Sequence, residues 1–190
     1  MRRSLLTIAI GFTAAFPTVA AAEPVHALQV SAGLGLAAAA PQNGVHENGT
    51  GSGGYASVEY VYQRVDWATP RLYTGLLLST PQSDCGAGVS PCDVSANIFF
   101  LGGKLRLMAP IPYVGPFLEA GIGLSAGHIS TRSGYAVDVT GSGIMYHVPF
   151  ALGLALGPRH EYDIAFQYLF HPEQKQFCGA FALGVRFGLD

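Results

Sequence analysis

The stretch EYDIAFQYLF, residues 161–170, places a large apolar or aromatic side chain at every second position. Between these positions lie Glu161, Asp163, Ala165 and Gln167. A period of two is typical of a β-strand with one apolar face, because successive side chains of a strand point to opposite sides. The apolar set is Tyr162, Ile164, Phe166, Tyr168 and Phe170.

The same alternation recurs along most of the chain and predicts eight strands. Long connections alternate with short ones, which indicates hairpins that open in turn at two ends of one antiparallel sheet. Eight such strands can close into an up-and-down barrel without a free edge. The predicted strands cover residues 28–39, 54–64, 71–79, 94–108, 113–129, 143–156, 161–170 and 177–189.

Composition decides which solvent surrounds this barrel. Hydrophobic residues make up 49% of the 190 residues and charged ones only 12%, whereas soluble domains carry about 25% charged residues. We therefore expect the bulky apolar face to point outward into lipid, and the face of Gly, Ala, Ser and charges to line a narrow lumen. The predicted fold class is all-β, an eight-stranded antiparallel up-and-down transmembrane β-barrel. The third strand has Leu on both faces, so its sides stay unassigned.

The N-terminus has the pattern of a secretory signal peptide. Arg2 and Arg3 precede a short apolar segment, and three alanines end at Ala22. We expect cleavage near Ala22, so that residues 1–22 are the signal peptide and residues 23–190 the exported barrel domain. A net charge of −2 without a Lys/Arg cluster argues against nucleic-acid binding. No phosphate-binding or zinc-binding spacing occurs, so neither cofactor nor metal is predicted.

Two local features carry a resemblance to a known family. The run from Phe117 to Gly123 is similar to Gly-rich barrel strands, and the segment from Gly184 to Leu189 looks like a terminal strand signal. The chain thus resembles the small eight-stranded outer-membrane barrels of Gram-negative bacteria, the OmpA/OmpX-like group that includes opacity-type surface barrels. It departs from the family at Asp190, because the family usually ends on an aromatic residue.

This resemblance implies a location and a set of partners. The N-terminus would lie in the periplasm and the long loops outside the cell. The barrel would sit in the outer membrane, in contact with lipid and lipopolysaccharide. The barrel-assembly machinery would read the terminal strand during biogenesis.

Six charged residues fall on the predicted lumen face, three acidic and three basic. A charge in so narrow a space is costly unless it is paired, so we predict a salt-bridged plug. A gate whose pairs rearrange to pass small ions is the alternative. His147, on the same face, is predicted to be a hydrogen-bonded filler. The predicted charge network is Glu59, Lys104, Arg106, Glu119, Asp163 and Arg186.

Two further groups of residues have candidate chemistry. Cys85 and Cys92 flank a Gly- and Pro-containing spacer, and export favours a disulfide between them over a metal site. Cys178 is expected to be a small buried residue.

His128 and Ser130 lie two residues apart on the outward face of the fifth predicted strand. An outer-membrane lipid A deacylase uses such a His-x-Ser pair with a nearby Glu. The next strand here offers no outward carboxylate, and Asp138 lies in a loop. A nucleophile needs a base that a third group orients, so we interpret the pair as structural polar residues.

The functional expectation is a structural or surface-exposed outer-membrane protein without enzymatic activity. Its lumen would be plugged, and its extracellular loops would be available to partners. Three alternatives remain open: a lipid A-modifying enzyme, a narrow channel for ions or small solutes, and a soluble periplasmic lipocalin-like binder.

Overall fold

The computed structural model describes residues 25–39, 50–82, 93–132, 139–173 and 176–189. Within these ranges no helix is long and apolar enough to cross a membrane. The chain forms eight strands: β1 (Val25–Ala39), β2 (Thr50–Gln63), β3 (Ala68–Gln82), β4 (Asp93–Met108), β5 (Val114–Arg132), β6 (Val139–Leu156), β7 (Tyr162–His171) and β8 (Gln176–Gly188).

The strands form one closed barrel in chain order, and every pairing is antiparallel. The first and last strands pair along their length, with Gln29 opposite Arg186. Closure gives the backbone of each strand two partners and leaves no edge. The predicted eight-stranded up-and-down barrel is confirmed.

Several strands are longer than the alternation predicts. β2 begins at Thr50, because Gly51 pairs with Ala37 of β1 and Gly53 pairs with Ser79 of β3. Glycine carries no side chain that could display an alternation, yet its backbone joins the ladder like any other. The strand therefore extends beyond the residues in which a period-two alternation can be recognised.

The connections define two ends of the barrel. At the turn end, short turns join β2 to β3, β4 to β5 and β6 to β7. Tyr113 and His160 adopt left-handed backbone angles there, with φ of 67° and 52°. The imidazole Nε2 of His160 lies 2.9 Å from the carbonyl oxygen of Ile111, so two turns are tied together. The other four connections leave from the opposite end, which we call the loop end.

Large apolar side chains cover the outside of the barrel. Leu101 is 47% exposed, Leu152 53% and Phe181 49%, whereas the lumen-facing Glu119 is 1% exposed. The predicted orientation, with the apolar faces outward, is confirmed. Other exposed members of this set include Leu34, Leu72, Leu76, Ile122, Leu124, Ile144, Leu183 and Phe187.

The expectation that the lumen face holds only small and charged residues is wrong for the half near the loop end. There a cluster of bulky side chains fills the barrel. In β3 and β4 large residues are adjacent, as in Phe99 and Phe100, so the sequence has no clear period in these segments. The inward members supply the volume that an eight-stranded barrel must fill. The larger ones are Tyr55, Tyr73, Leu77, Ile98, Phe100, Ile129, Met145 and Leu169.

Phe99 and Phe100 offer a matched pair for testing this packing. Phe100 is 1% exposed and its ring stacks on Tyr55 at 5.7 Å between centroids, whereas Phe99 points outward and is 44% exposed. We expect Phe100→Ala to lower the free energy of unfolding by about 3–5 kcal/mol, because it opens a cavity in a filled lumen. Phe99→Ala should lower the free energy of unfolding clearly less, because the medium outside the barrel can occupy the space that the ring leaves. Denaturant unfolding of the refolded barrel, followed by the fluorescence of the single Trp67, measures both; equal losses would contradict the inward packing.

Candidate functional site

The densest group of functional side chains lies inside the barrel. We call it the ionic cluster: Glu59 on β2, Arg71 on β3, Lys104 and Arg106 on β4, Glu119 on β5 and Asp163 on β7. Each of these residues is at most 7% exposed. Alternation turns all six toward the lumen, where strands from several sides of the barrel bring them together.

The ionic cluster is connected by short charge-assisted hydrogen bonds. The Lys104 ammonium lies 2.6 Å from Glu59 and 2.6 Å from Glu119. The Arg106 Nε lies 2.6 Å from Glu119, and its two terminal nitrogens donate to Asp163 at 3.2 and 2.5 Å. Arg71 donates to Glu59 at 2.9 Å. These contacts engage both oxygens of all three carboxylates, so every buried negative charge is compensated.

Arg71 belongs to this cluster, although the alternation along β3 did not predict it. Because β3 has leucines on both faces, the sequence did not indicate on which face Arg71 lies. A signal was present, however: Thr69, Arg71 and Tyr73 alternate with Pro70 and Leu72, and the polar set is the buried one.

Arg186, predicted to join the network, lies at its margin. Its Nη1 donates to Gln63 at 3.2 Å. No carboxylate of the described residues lies within ion-pair distance of its guanidinium. Arg186 is therefore a cation next to a cluster whose acids are already engaged.

An apolar layer covers the ionic cluster on the side of the turn end. Met108, Phe117, Ala155 and Ala165 form this layer. The Arg106 guanidinium lies 3.5 Å from the centroid of the Phe117 ring, which is a cation–π contact. Met108 and Phe117 thus lie between Arg106 and the turn end.

A hydrogen-bonded chain continues from the ionic cluster toward the loop end. The Tyr73 hydroxyl lies 2.6 Å from His147 Nε2, and His147 Nδ1 lies 2.9 Å from the Ser125 hydroxyl. His171 Nε2 lies 2.9 Å from the same hydroxyl. His147 is hydrogen-bonded, as predicted. His171 was assigned to a connection, but it closes β7 and is fully buried.

Ser125 and His147 have the spacing of a nucleophile and a base, but their surroundings do not suit catalysis. Both are buried in the lumen, at 1% and 0% exposure. The partners of His147 are a phenol and a hydroxyl, not the carboxylate that would orient a catalytic base. The arrangement satisfies polar groups inside a filled barrel.

His128 and Ser130 lie on the outer face of β5, as the sequence indicates. The register places His128 between Asn97 and Ser142, and Ser130 between Ser95 and Thr140. None of these four neighbours is acidic, so the base-orienting group of a lipid-facing catalytic site is missing among them. Asp138 lies outside the described residues.

The remaining predicted sites involve cysteines and metals. Cys85 and Cys92 lie outside the described residues, so their disulfide stays a prediction. Cys178 is a free, fully buried thiol on β8, as expected. In the part of the chain that the structure covers, no three His, Cys, Asp or Glu side chains assemble into a metal site.

Comparison with solved structures shows the fold. Neisserial surface protein A aligns with a TM-score of 0.60 and 13% sequence identity, over 86% of this chain and 97% of that protein. OprG, an outer membrane protein from Pseudomonas aeruginosa, aligns over 86% of this chain and 96% of its own, at 10% identity and a TM-score of 0.49. Ail from Yersinia pestis aligns over 85% of this chain and 98% of its own, at 14% identity and a TM-score of 0.46.

At these identities the likeness is one of fold, and it confirms the predicted resemblance to small eight-stranded barrels at that level. Neither a protein-family model nor a curated protein matches the sequence.

The ionic cluster predicts a specific pattern of stability. Glu119→Gln should lower the free energy of unfolding by about 3–5 kcal/mol, because it leaves Lys104 and Arg106 short of a buried counter-charge. The double variant Lys104→Met/Glu119→Gln should recover more than half of that loss, since one cation leaves with one anion. Denaturant unfolding of the wild type, Glu119→Gln, Lys104→Met and the double variant measures both effects. Strictly additive losses would show that the two charges are not coupled.

Proposed function

We propose that this chain is a small integral outer-membrane β-barrel with a plugged lumen, whose connections at the loop end contact partners outside the cell. The observation that carries the proposal is the distribution of side chains between the outside of the barrel and its lumen. Large apolar groups surround the outside of the closed barrel, while seven charged residues of the described strands face the lumen. Leu101 and Glu119 represent the two environments, at 47% and 1% exposure.

The outer surface favours lipid over water. Soluble monomers rarely expose apolar patches larger than a few hundred Å², yet here the apolar residues extend over the outward faces of all eight strands. In a bilayer the same side chains meet acyl chains, and closure satisfies the backbone without help from water. This surface argues against the soluble lipocalin-like alternative. It suits the acyl chains of phospholipid and lipopolysaccharide.

Aromatic residues at the turn end support the same location. Trp67, Tyr113 and Tyr162 are 53%, 64% and 52% exposed, and side chains of this kind concentrate where a barrel leaves the hydrocarbon. We place the turn end in the periplasm, because short turns face that side in such barrels. The last strand would then be available to the barrel-assembly machinery.

The contacts inside the barrel support a plug. From the turn end, a pathway through the lumen would meet the Phe117 layer, then the ionic cluster, then the buried aromatic and aliphatic cluster around Phe100. Each layer is held by packing or by charge pairs. A passive barrel of this kind presents its connections to the outside, and the name of Neisserial surface protein A is consistent with such a role.

The location is tested by fractionation and gel migration. We expect the protein to stay with outer membranes through carbonate extraction and to migrate faster on a gel before boiling than after it, because a closed barrel resists detergent. Release by carbonate would contradict the membrane location. Identical migration before and after boiling would contradict a stable barrel.

The same cells can report which end faces outward. An epitope tag inserted within residues 40–49 should bind antibody on intact cells. A tag in the β2–β3 turn, at residues 64–67, is the matched control and should bind only after permeabilisation. The reverse pattern would invert the proposed topology.

A plugged lumen also makes an electrical prediction. In planar bilayers the purified barrel should give no uniform current steps above background, because three layers of side chains close the pathway. A large-pore porin in the same bilayer confirms that single channels are detectable. Reproducible current steps of one size would contradict the plugged lumen and indicate a conducting channel.

A further inference from the structure

We propose that the lumen holds a small monovalent anion, of the chemistry of chloride, between Arg71 and Arg186. This site goes beyond the proposed surface role and does not depend on which partner the loops contact. It follows from a count of charges and hydrogen-bond donors inside the barrel.

The lumen face of the described strands carries one more positive charge than negative. Four cations face three carboxylates, and Lys104, Arg106 and one nitrogen of Arg71 already engage all six carboxylate oxygens. The surplus charge belongs to Arg186, whose Nη1 donates a hydrogen bond to the neutral amide oxygen of Gln63. Arg186 is half-buried, but its Nε is buried and has no acceptor. A bound anion would balance the surplus charge at this point.

Unused donors accompany the surplus charge. The Nε and Nη2 of Arg71 and the Nε of Arg186 are buried and have no hydrogen-bond acceptor. The Nε of Arg71 lies 3.7 Å from Glu119, too far for a hydrogen bond. The Arg71 side chain is fully buried, so bulk water does not supply the missing acceptors. An anion is an acceptor only, which is the complement that these groups require.

The nearby wall is built of small polar residues that pack closely together. Gln29 lies next to both arginines. Its side-chain oxygen accepts a hydrogen bond from Arg71 at 2.8 Å, and its backbone lies opposite that of Arg186 in the β1–β8 register. Beside it lie the small inward residues Ser31, Ser57 and Gly184, and the Ser57 hydroxyl also lacks a partner. A Cβ added at Gly184 would lie 2.6 Å from the Ser31 hydroxyl and 3.0 Å from the Gln29 amide nitrogen. This part of the wall is therefore small and polar.

Charge and size select the class of ion. A single surplus positive charge calls for a monovalent anion, and a divalent phosphate or sulfate would leave the lumen negative. The close contacts around Gly184 leave no room for a bulky organic anion. Chloride fits both conditions and bromide is its close substitute.

Crystals of the full-length refolded barrel, grown in sodium bromide, provide the direct test. We expect an anomalous bromide peak between Arg71 and Arg186. Arg186→Gln should lose the peak, whereas Arg64→Gln, which removes an exposed arginine in the β2–β3 turn, should keep it. A water without anomalous signal, bromide only at exposed sites, or a peak that survives Arg186→Gln would each overturn the proposal.

A solution measurement keeps the proposal testable if the variant crystallises poorly. At equal ionic strength, chloride should raise the thermal unfolding midpoint of the wild type by about 3 °C relative to gluconate, because a ligand that binds only the folded state stabilises it. Arg186→Gln should lose this difference, and Arg186→Lys should retain part of it. Equal midpoints in both salts for the wild type would reject the site while leaving the membrane location unaffected.

Discussion

The width of an eight-stranded barrel constrains everything inside it. Such a barrel encloses about the volume that its own inward side chains fill, so whatever faces the lumen is removed from water and must find its partners there. Ionised groups under this constraint need opposite charges at short range. The contacts of Glu59 and Glu119 with Lys104, both at 2.6 Å, show the result.

The same constraint separates the lumen into layers. Charges collect near the turn end, a chain of hydroxyl and imidazole groups follows, and aromatic and aliphatic side chains fill the part near the loop end. Tyr73 joins these layers, because its hydroxyl contacts His147, its ring lies 6.1 Å from Phe100, and the Lys104 ammonium lies 5.4 Å from the ring centroid. One side chain thus couples ionic, polar and apolar packing. A substitution of Tyr73 would therefore disturb the ionic, the polar and the apolar packing together.

Sequence periodicity predicted the barrel and its orientation because the apolar outer surface and the filled lumen impose opposite demands on alternate residues. β7 and β8 show the pattern clearly, so their faces could be assigned. The pattern fails where both faces need bulk, as in β3 and β4, and for that reason Leu77 and Phe100 could not be placed inside in advance. Arg71 was missed for the same cause. Which acid pairs with which base inside the barrel could not be predicted, because these contacts depend on the register between strands that are distant in sequence.

The seam between β1 and β8 has a consequence for the order in which this molecule is made. Ala27 pairs with Gly188 and Ala39 with Gln176, so the ring joins the first and the last of the eight strands. Contacts between such distant segments form slowly, because the intervening chain must first be brought together. Until the last strand has arrived, the growing sheet retains two open margins that can recruit other chains. Formation of the barrel therefore includes a vulnerable interval that ends only when β8 pairs with β1, and whatever shields the two margins during this interval protects the chain from aggregation.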